Sequence, residues 1–159
     1  MKKMIWLLIG CFAFAGRLMA KEYPLTSPNG NNVVHVTCAG NIGFTVWNNK
    51  SQVLSVNNLG LNIKDKALLG KDALVLKTNY SKGDEMLQVV APVKFSTIRD
   101  HYNQLEIIFK GNYRLLFRAY DNGVAYRFVT QFKDDSVWVN KEEMSFDVNE
   151  ASNAIWPYE

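Results

Sequence analysis

Cysteine and histidine are scarce in this 159-residue chain, which holds two of each. Two cysteines cannot build a disulfide scaffold, and no His/Cys cluster stands at zinc spacing. Calcium-loop signatures and phosphate-cradling glycine loops are missing as well. Charge of one sign is also lacking. There are 18 Lys and Arg against 15 Asp and Glu, and Lys2, Lys3 and Arg17 account for the whole surplus. A protein that neutralises phosphates needs a basic face, so no nucleic-acid partner is expected. Past residue 20 there is no Gly/Ser or Pro-rich linker, no repeat of fixed period and no apolar run long enough for a membrane span. What is abundant is apolar and aromatic content, 48% and 13%. That mix excludes a disordered tail and a collagen-like fibre and fits one folded domain.

The first twenty residues differ from the rest. Lys2 and Lys3 precede an apolar run from Met4 to Ala15, too short for a bilayer core of ~30 Å and suited to the h-region of a secretory signal. Ala13-Phe14-Ala15 and Ala20 offer cleavage sites. Residues 1–20 are therefore expected to be a signal peptide, with residues 21–159 forming a single exported domain, periplasmic or secreted. Leu8-Ile9-Gly10-Cys11 resembles a lipobox, which makes lipoprotein anchoring at Cys11 the alternative fate. Without Cys11 no intrachain disulfide is possible. Cys38 lies in an alternating run as a small buried hydrophobe. His35, three residues earlier on a strand, would point to the opposite face, so no Cys–His nucleophile is expected.

The dominant hydrophobic period is two. Leu105, Ile107 and Phe109, then Leu115, Phe117 and Ala119, then Val124, Tyr126 and Phe128 predict three consecutive strands. Gly111-Asn112 suits a type II′ turn between the first two, and Asp121-Asn122-Gly123, whose residues tolerate positive φ, joins the next. Upstream, Ser27-Pro28-Asn29-Gly30 sets a turn that launches a first strand, Val33 to Cys38. Ile42 to Trp47, Gln52 to Val56 and Leu59 to Lys64 follow. Lys66 to Gly70 fits a helical turn, Ala73 to Tyr80 alternates, Met86 to Ile98 is extended, and Met144 to Val148 gives one more strand. Nine or ten strands without a long amphipathic helix predict an all-β, antiparallel two-layer β-sandwich.

Candidate chemistry is sparse. His101 is flanked by Asp100 and Tyr102, with Ser96 and Arg99 nearby, but a Ser-His-Asp relay needs partners brought together across a fold rather than in sequence. Arg99 to Asn103 reads as a polar bend. The carboxylate pairs Asp84-Glu85, Asp134-Asp135 and Glu142-Glu143 bring to mind two-carboxylate sugar cleavage. Adjacent strand residues point to opposite faces, so these pairs are expected to be solvated turn residues. No catalytic residue and no metal ligand is assigned within the chain. The aromatics Trp47, Tyr80, Tyr102, Tyr113, Tyr120, Tyr126, Trp138, Trp156 and Tyr158 are numerous; exposed members would suit sugar stacking and buried ones core packing.

Four segments together carry a resemblance. Leu25-Thr26-Ser27-Pro28-Asn29-Gly30, Asn58-Leu59-Gly60-Leu61, Arg99-Asp100-His101-Tyr102-Asn103-Gln104-Leu105 and the run from Phe117 to Phe128 (Phe117-Arg118-Ala119-Tyr120-Asp121-Asn122-Gly123-Val124-Ala125-Tyr126-Arg127-Phe128) resemble, in order and spacing, the N-terminal domain of glycoside hydrolase family 97. The resemblance implies a β-super-sandwich preceding a (β/α)8 catalytic barrel and a small C-terminal β domain, in an exported bacterial α-glucosidase or α-galactosidase with calcium at its active site. Such a barrel needs on the order of 250 residues. The chain is thus expected to hold the non-catalytic N-terminal part, with the barrel of the same protein as its partner and α-linked glycans as ligands of the whole. The family lends calcium a carboxylate after a Trp like Trp156. Glu159 lies in that neighbourhood, but family spacing puts the ligand further on, so no cofactor is assigned to this chain itself. The apolar run Ala154 to Glu159, without a closing turn, reads as a strand interrupted on entry. The alternatives are a free-standing carbohydrate-binding module and a surface interaction protein.

Overall fold

The computed structural model describes residues 21–91 and 94–148. All regular structure within them is strand: β1 (Lys21–Thr26), β2 (Asn32–Ala39), β3 (Asn41–Asn48), β4 (Ser51–Ile63), β5 (Val75–Gln88), β6 (Thr97–Phe109), β7 (Tyr113–Tyr120), β8 (Gly123–Thr130) and β9 (Val139–Val148). The expected signal segment with Cys11, and Trp156, Tyr158 and Glu159, lie outside the described residues. Two antiparallel sheets stack as a sandwich, one ordered β1-β2-β3-β4-β9 and the other β5-β6-β7-β8.

Alternation drives this layering. On β2 and β3 the side chains of Val34, Val36, Ile42 and Phe44 point inward, and on β6 and β7 those of Leu105, Ile107, Leu115 and Phe117 do the same; all are buried. The two rows meet where the Phe44 ring lies 5.2 Å from Phe117 and 5.7 Å from Tyr126. Each such side chain taken from water contributes roughly 1.5–3 kcal/mol. Sheet packing therefore supplies what short strands cannot supply alone.

Turn chemistry sets the registers. Gly30, at φ 82°, donates its N–H to the Ser27 carbonyl at 3.0 Å and reverses the chain as expected. Asn49 and Lys50 both take positive φ, the pattern of a two-residue type I′ hairpin between β3 and β4. Between β6 and β7 the expected type II′ pair is replaced by a three-residue link, Lys110 to Asn112, with positive φ at both Gly111 and Asn112. Gly70 explains a further segment. A Cβ there would collide with the Leu59 carbonyl oxygen, so the chain after β4 lies tightly on the Asn58-Leu59-Gly60-Leu61 stretch.

Several boundaries depart from expectation. Lys21–Thr26 is an edge strand on β2, buried at Tyr23 and Leu25, rather than a lead-in to the first strand. Residues 66–70 form a turn and a bridge, Leu61 to Leu69, with no helix. The two strands expected from Gln52 to Lys64 are one strand, β4, bent by a bulge at Asn58 with φ 55°. Arg99 to Asn103 is strand, paired with Lys82 to Met86, and no bend interrupts it.

The sheets are offset. β1 packs over β6 and β7, and β2 over β7 and β8. Hence β5 reaches past β1 on one margin, and β9 lies beyond β8 on the other.

Candidate functional site

The turn Ser27 to Asn31, the Asp121-Asn122 link and the paired ends of β5 and β6 gather at one end of the sandwich. Asn32 fixes this end by donating its Nδ2 to the carbonyls of Tyr120 at 2.9 Å and Asp121 at 3.2 Å. The Asn29 backbone N–H donates to Asp121 Oδ1 at 2.8 Å. The residues singled out around His101 sit here.

Strand geometry separates them. Asp100 and Tyr102 face outward, whereas Arg99 and His101 lie on the core-side face, beyond the cover of β1. His101 Nδ1 stands 4.0 Å from Asp121 Oδ2, past hydrogen-bond reach. Ser96 lies in the β5–β6 connection, where its carbonyl accepts the Val89 N–H. Asp100, on the far face, is bonded by Arg118 Nη1 at 3.3 Å and by the Tyr120 hydroxyl at 3.1 Å. No relay from hydroxyl to imidazole to carboxylate is assembled from these residues.

The outward face of β6 and β7 instead carries a bonded lattice. Arg118 lies 3.8 Å above the Tyr102 ring centroid and donates Nε to Gln104 Oε1 at 2.9 Å. Below that ring is Gly83, where a Cβ would come within 2.6 Å of Tyr102 Cζ. The ring is thus held between a bare strand backbone and a guanidinium, whose flat face suits stacking as an ammonium would not. One register on, Arg114 Nη1 reaches Glu106 Oε1 at 2.8 Å, and Asn79 Nδ2 reaches Glu106 Oε2 at 2.7 Å. Sequence spacing does not show this lattice, because its partners sit on neighbouring strands.

The carboxylate pairs do not face one another. Asp84 is bonded twice by Arg99, at 2.6 and 2.7 Å. Asp134 holds Lys66 at 2.8 Å, Glu143 holds Lys141 at 3.0 Å, and Glu142 accepts the Tyr126 hydroxyl at 2.7 Å. Asp84-Glu85 and Glu142-Glu143 lie within β5 and β9, correcting their expected placement in turns; Asp134-Asp135 alone is outside a strand. Hydrogen bonds from Arg99, Lys66 and Lys141, with the attraction of those cations, hold the carboxyls of Asp84, Asp134 and Glu143 below the usual range. A general acid for glycoside cleavage needs the opposite shift. Burial pushes the Cys38 thiol up to about 11, so at neutral pH it stays protonated and weakly nucleophilic. Among the described residues no three His, Cys, Asp or Glu side chains gather where they could hold a metal ion.

The aromatics divide by exposure. Tyr113 is buried, stacked 4.9 Å from Phe109, and Trp47, Tyr102, Tyr120 and Tyr126 are half-buried. Tyr80 and Trp138 are the exposed pair, at 56% and 72%. Tyr80 borders a shallow groove of about 440 Å³ with Leu25, Thr26, Ser81, Lys82 and Asn103. Among the described residues no helix is long and apolar enough to cross a membrane.

Comparison with known proteins places this architecture. The family described as glycosyl-hydrolase 97 N-terminal matches residues 25–159. A retaining alpha-galactosidase of Bacteroides thetaiotaomicron is 32% identical over 136 residues, covering 84% of this chain and 20% of the relative. Among solved structures, a glycoside hydrolase family 97 enzyme from Pseudoalteromonas sp. strain K8 in complex with panose superposes with a TM-score of 0.67 at 21% identity, over 80% of this chain and 20% of the enzyme. A beta-arabinopyranosidase superposes at 0.71 with 21% identity, over 82% and 22%. At such identity the superpositions speak for the fold alone. The chain spans about a fifth of the length of the relatives it matches. By the family match over most of its length, this chain belongs to glycoside hydrolase family 97, in its N-terminal domain.

Proposed function

We propose that residues 21–159 are the non-catalytic N-terminal β-sandwich of an exported family 97 hydrolase acting on α-glucosides or α-galactosides. In this reading the sandwich packs on a (β/α)8 catalytic domain of the same protein and helps shape its carbohydrate pocket. Residues 1–20 direct export, to the periplasm or beyond the cell, and calcium belongs to the full-length enzyme.

One observation carries the reading. The chain matches a fifth of whole hydrolases, while three of its own candidate carboxylates are neutralised by Arg or Lys at 2.6–3.0 Å. Carboxylates tied in this way stay ionised; they do not protonate a leaving group. The test is turnover of aryl α-glucosides and α-galactosides. The complete protein should hydrolyse one of them, and residues 21–159 alone neither. Turnover by the isolated chain that vanished on changing one of its residues would contradict the proposal.

A second reading is favoured by the exposed Tyr80 beside Ser81, Lys82 and Asn103, an aromatic platform flanked by polar groups that suits stacking on a sugar. Affinity electrophoresis in starch or galactomannan gels distinguishes the two. Retardation lost in Tyr80→Ala would support a binding module, and unretarded migration would remove it.

A further inference from the structure

The margin between β8 and β9 is unfinished. On β4 and β9, Val56 pairs with Phe146 and Leu54 with Val148, so these side chains share the core-side face. Val56 is 2% exposed, yet its neighbour Phe146 is 54% exposed, with Met144 at 42% and Val148 at 51%. The reason is the offset of the layers. Among the described residues the first sheet has five strands and the second four, and the second ends at β8. Stacked sheets lie about 10 Å apart. Strands added beside β8 would therefore run opposite β4 and then β9, toward Met144, Phe146 and Val148. At the far end of this margin the 131–138 connection supplies partial cover through Phe132 and Val137, and the Tyr126 to Glu142 hydrogen bond crosses the gap.

The edge of β8 is the one suited to receive a strand. Sheet edges are ordinarily defended by Lys, Pro, paired charges or shortness. β1 is short and carries Lys21, Glu22 and Pro24; β5 carries Lys77, Lys82, Asp84 and Glu85; β9 carries Lys141, Glu142, Glu143 and Asp147. β8 reads Gly-Val-Ala-Tyr-Arg-Phe-Val-Thr, with Arg127 its single charge and neither Lys nor Pro. It is rich in β-branched and aromatic residues, which favour pairing. An undefended edge thus lies on the same margin as an uncovered apolar row, and strands added at that edge would extend the second sheet toward it.

We infer that the edge of β8, open among the described residues, is a strand-addition site, filled in the complete protein by a β-strand from the polypeptide that follows β9. The occupant follows from length: the relatives continue for about four-fifths of their sequence beyond a match that is N-terminal in the family. The inference rests on the reading of this chain as part of such a protein. Backbone hydrogen bonds along β8 would give the added strand its affinity, and apolar side chains at alternate positions would extend the core toward Phe146 and its neighbours.

Hydrogen exchange on the protein encoded by the complete reading frame tests it. Amides of β8 that point away from β7 should exchange at least about a hundredfold more slowly than in an unstructured peptide. In Phe146→Ser that protection should fall at least about tenfold, while amides of β2 and β3 keep theirs. Unprotected outward amides on β8 in a folded protein would overturn the inference. So would protection that disappears on dilution as a dimer separates, since a second copy would then be the occupant. A reading frame that stops near residue 159 would overturn both this inference and the proposed function. Turnover by residues 21–159 alone would remove the proposed function and leave the exchange result standing.

Discussion

Along β5, the strand that reaches past β1, the side chains on the core-side face run Thr78, Tyr80, Lys82, Asp84 and Met86; along β9, the strand beyond β8, they run Glu142, Met144, Phe146 and Val148. Both strands overhang the opposite layer. The first interleaves Lys82 and Asp84 with the exposed Tyr80 and Met86, and its Asp84 is tied to Arg99. The second exposes hydrocarbon. An overhang is stable by itself only when its face is polar, because each exposed apolar side chain forgoes burial worth roughly 1.5–3 kcal/mol. One margin of this sandwich is thus broken up by charge and the other is a continuous apolar seam.

Substitutions can break that contrast. The largest expected effect is a reference point: Phe117→Ala, at a fully buried position, should cost about 3–5 kcal/mol in urea unfolding. Next comes the outward lattice of the second sheet. Arg118→Ala leaves Asp100 with the Tyr120 hydroxyl alone and bares the Tyr102 face, and should cost about 1–3 kcal/mol; Arg118→Lys should recover little of this, since an ammonium cannot both stack and reach Gln104. On the seam, Phe146→Ala in residues 21–159 should cost about 1 kcal/mol or less, because half the side chain is already in water. A loss equal to that of Phe117→Ala would show the seam to be closed in solution. On the polar margin, Tyr80→Ser should stay within about 0.5 kcal/mol. The last effect is one of pH. Arg99 lowers the Asp84 carboxyl below its usual range. The stabilisation is thus present above the unfolded carboxylate pKa of about 4 and lost as pH falls through the lower folded value. Arg99→Leu should flatten that part of the acid unfolding profile, and an unchanged profile would show the pair to be without effect on folding.

The same contrast explains what was legible in the sequence. β6 from Leu105, β7 and β8 alternate cleanly because one face of each meets the core, and period two is the direct trace of that contact. The paired ends of β5 and β6 have no layer over them. Lys82, Asp84, Arg99 and His101 therefore occupy what would be the core-side face, the alternation disappears, and Arg99 to Asn103 reads as a bend although it is strand. β1 hides for another reason: Pro24 breaks the pattern in a six-residue edge strand that needs few ladder bonds. The segments Asn58 to Leu61 and Phe117 to Phe128 carry the family resemblance in their residue order alone. Their physical content, the close approach of Gly70 to Leu59 and the stacking of Arg118 on Tyr102, depends on contacts between strands and between distant segments that linear spacing does not encode.

The pairing of β4 with β9 has a kinetic consequence. β2 with β3, β3 with β4, and β6 through β8 close by short links and can zip locally. β9 must wait until the whole second sheet has been made before it returns to β4. Closure over so long a stretch of chain is slow. The edge of β4 therefore stays unpaired while β5 to β8 are being made, and in that interval a holding chaperone would protect the nascent chain from sticking to its neighbours.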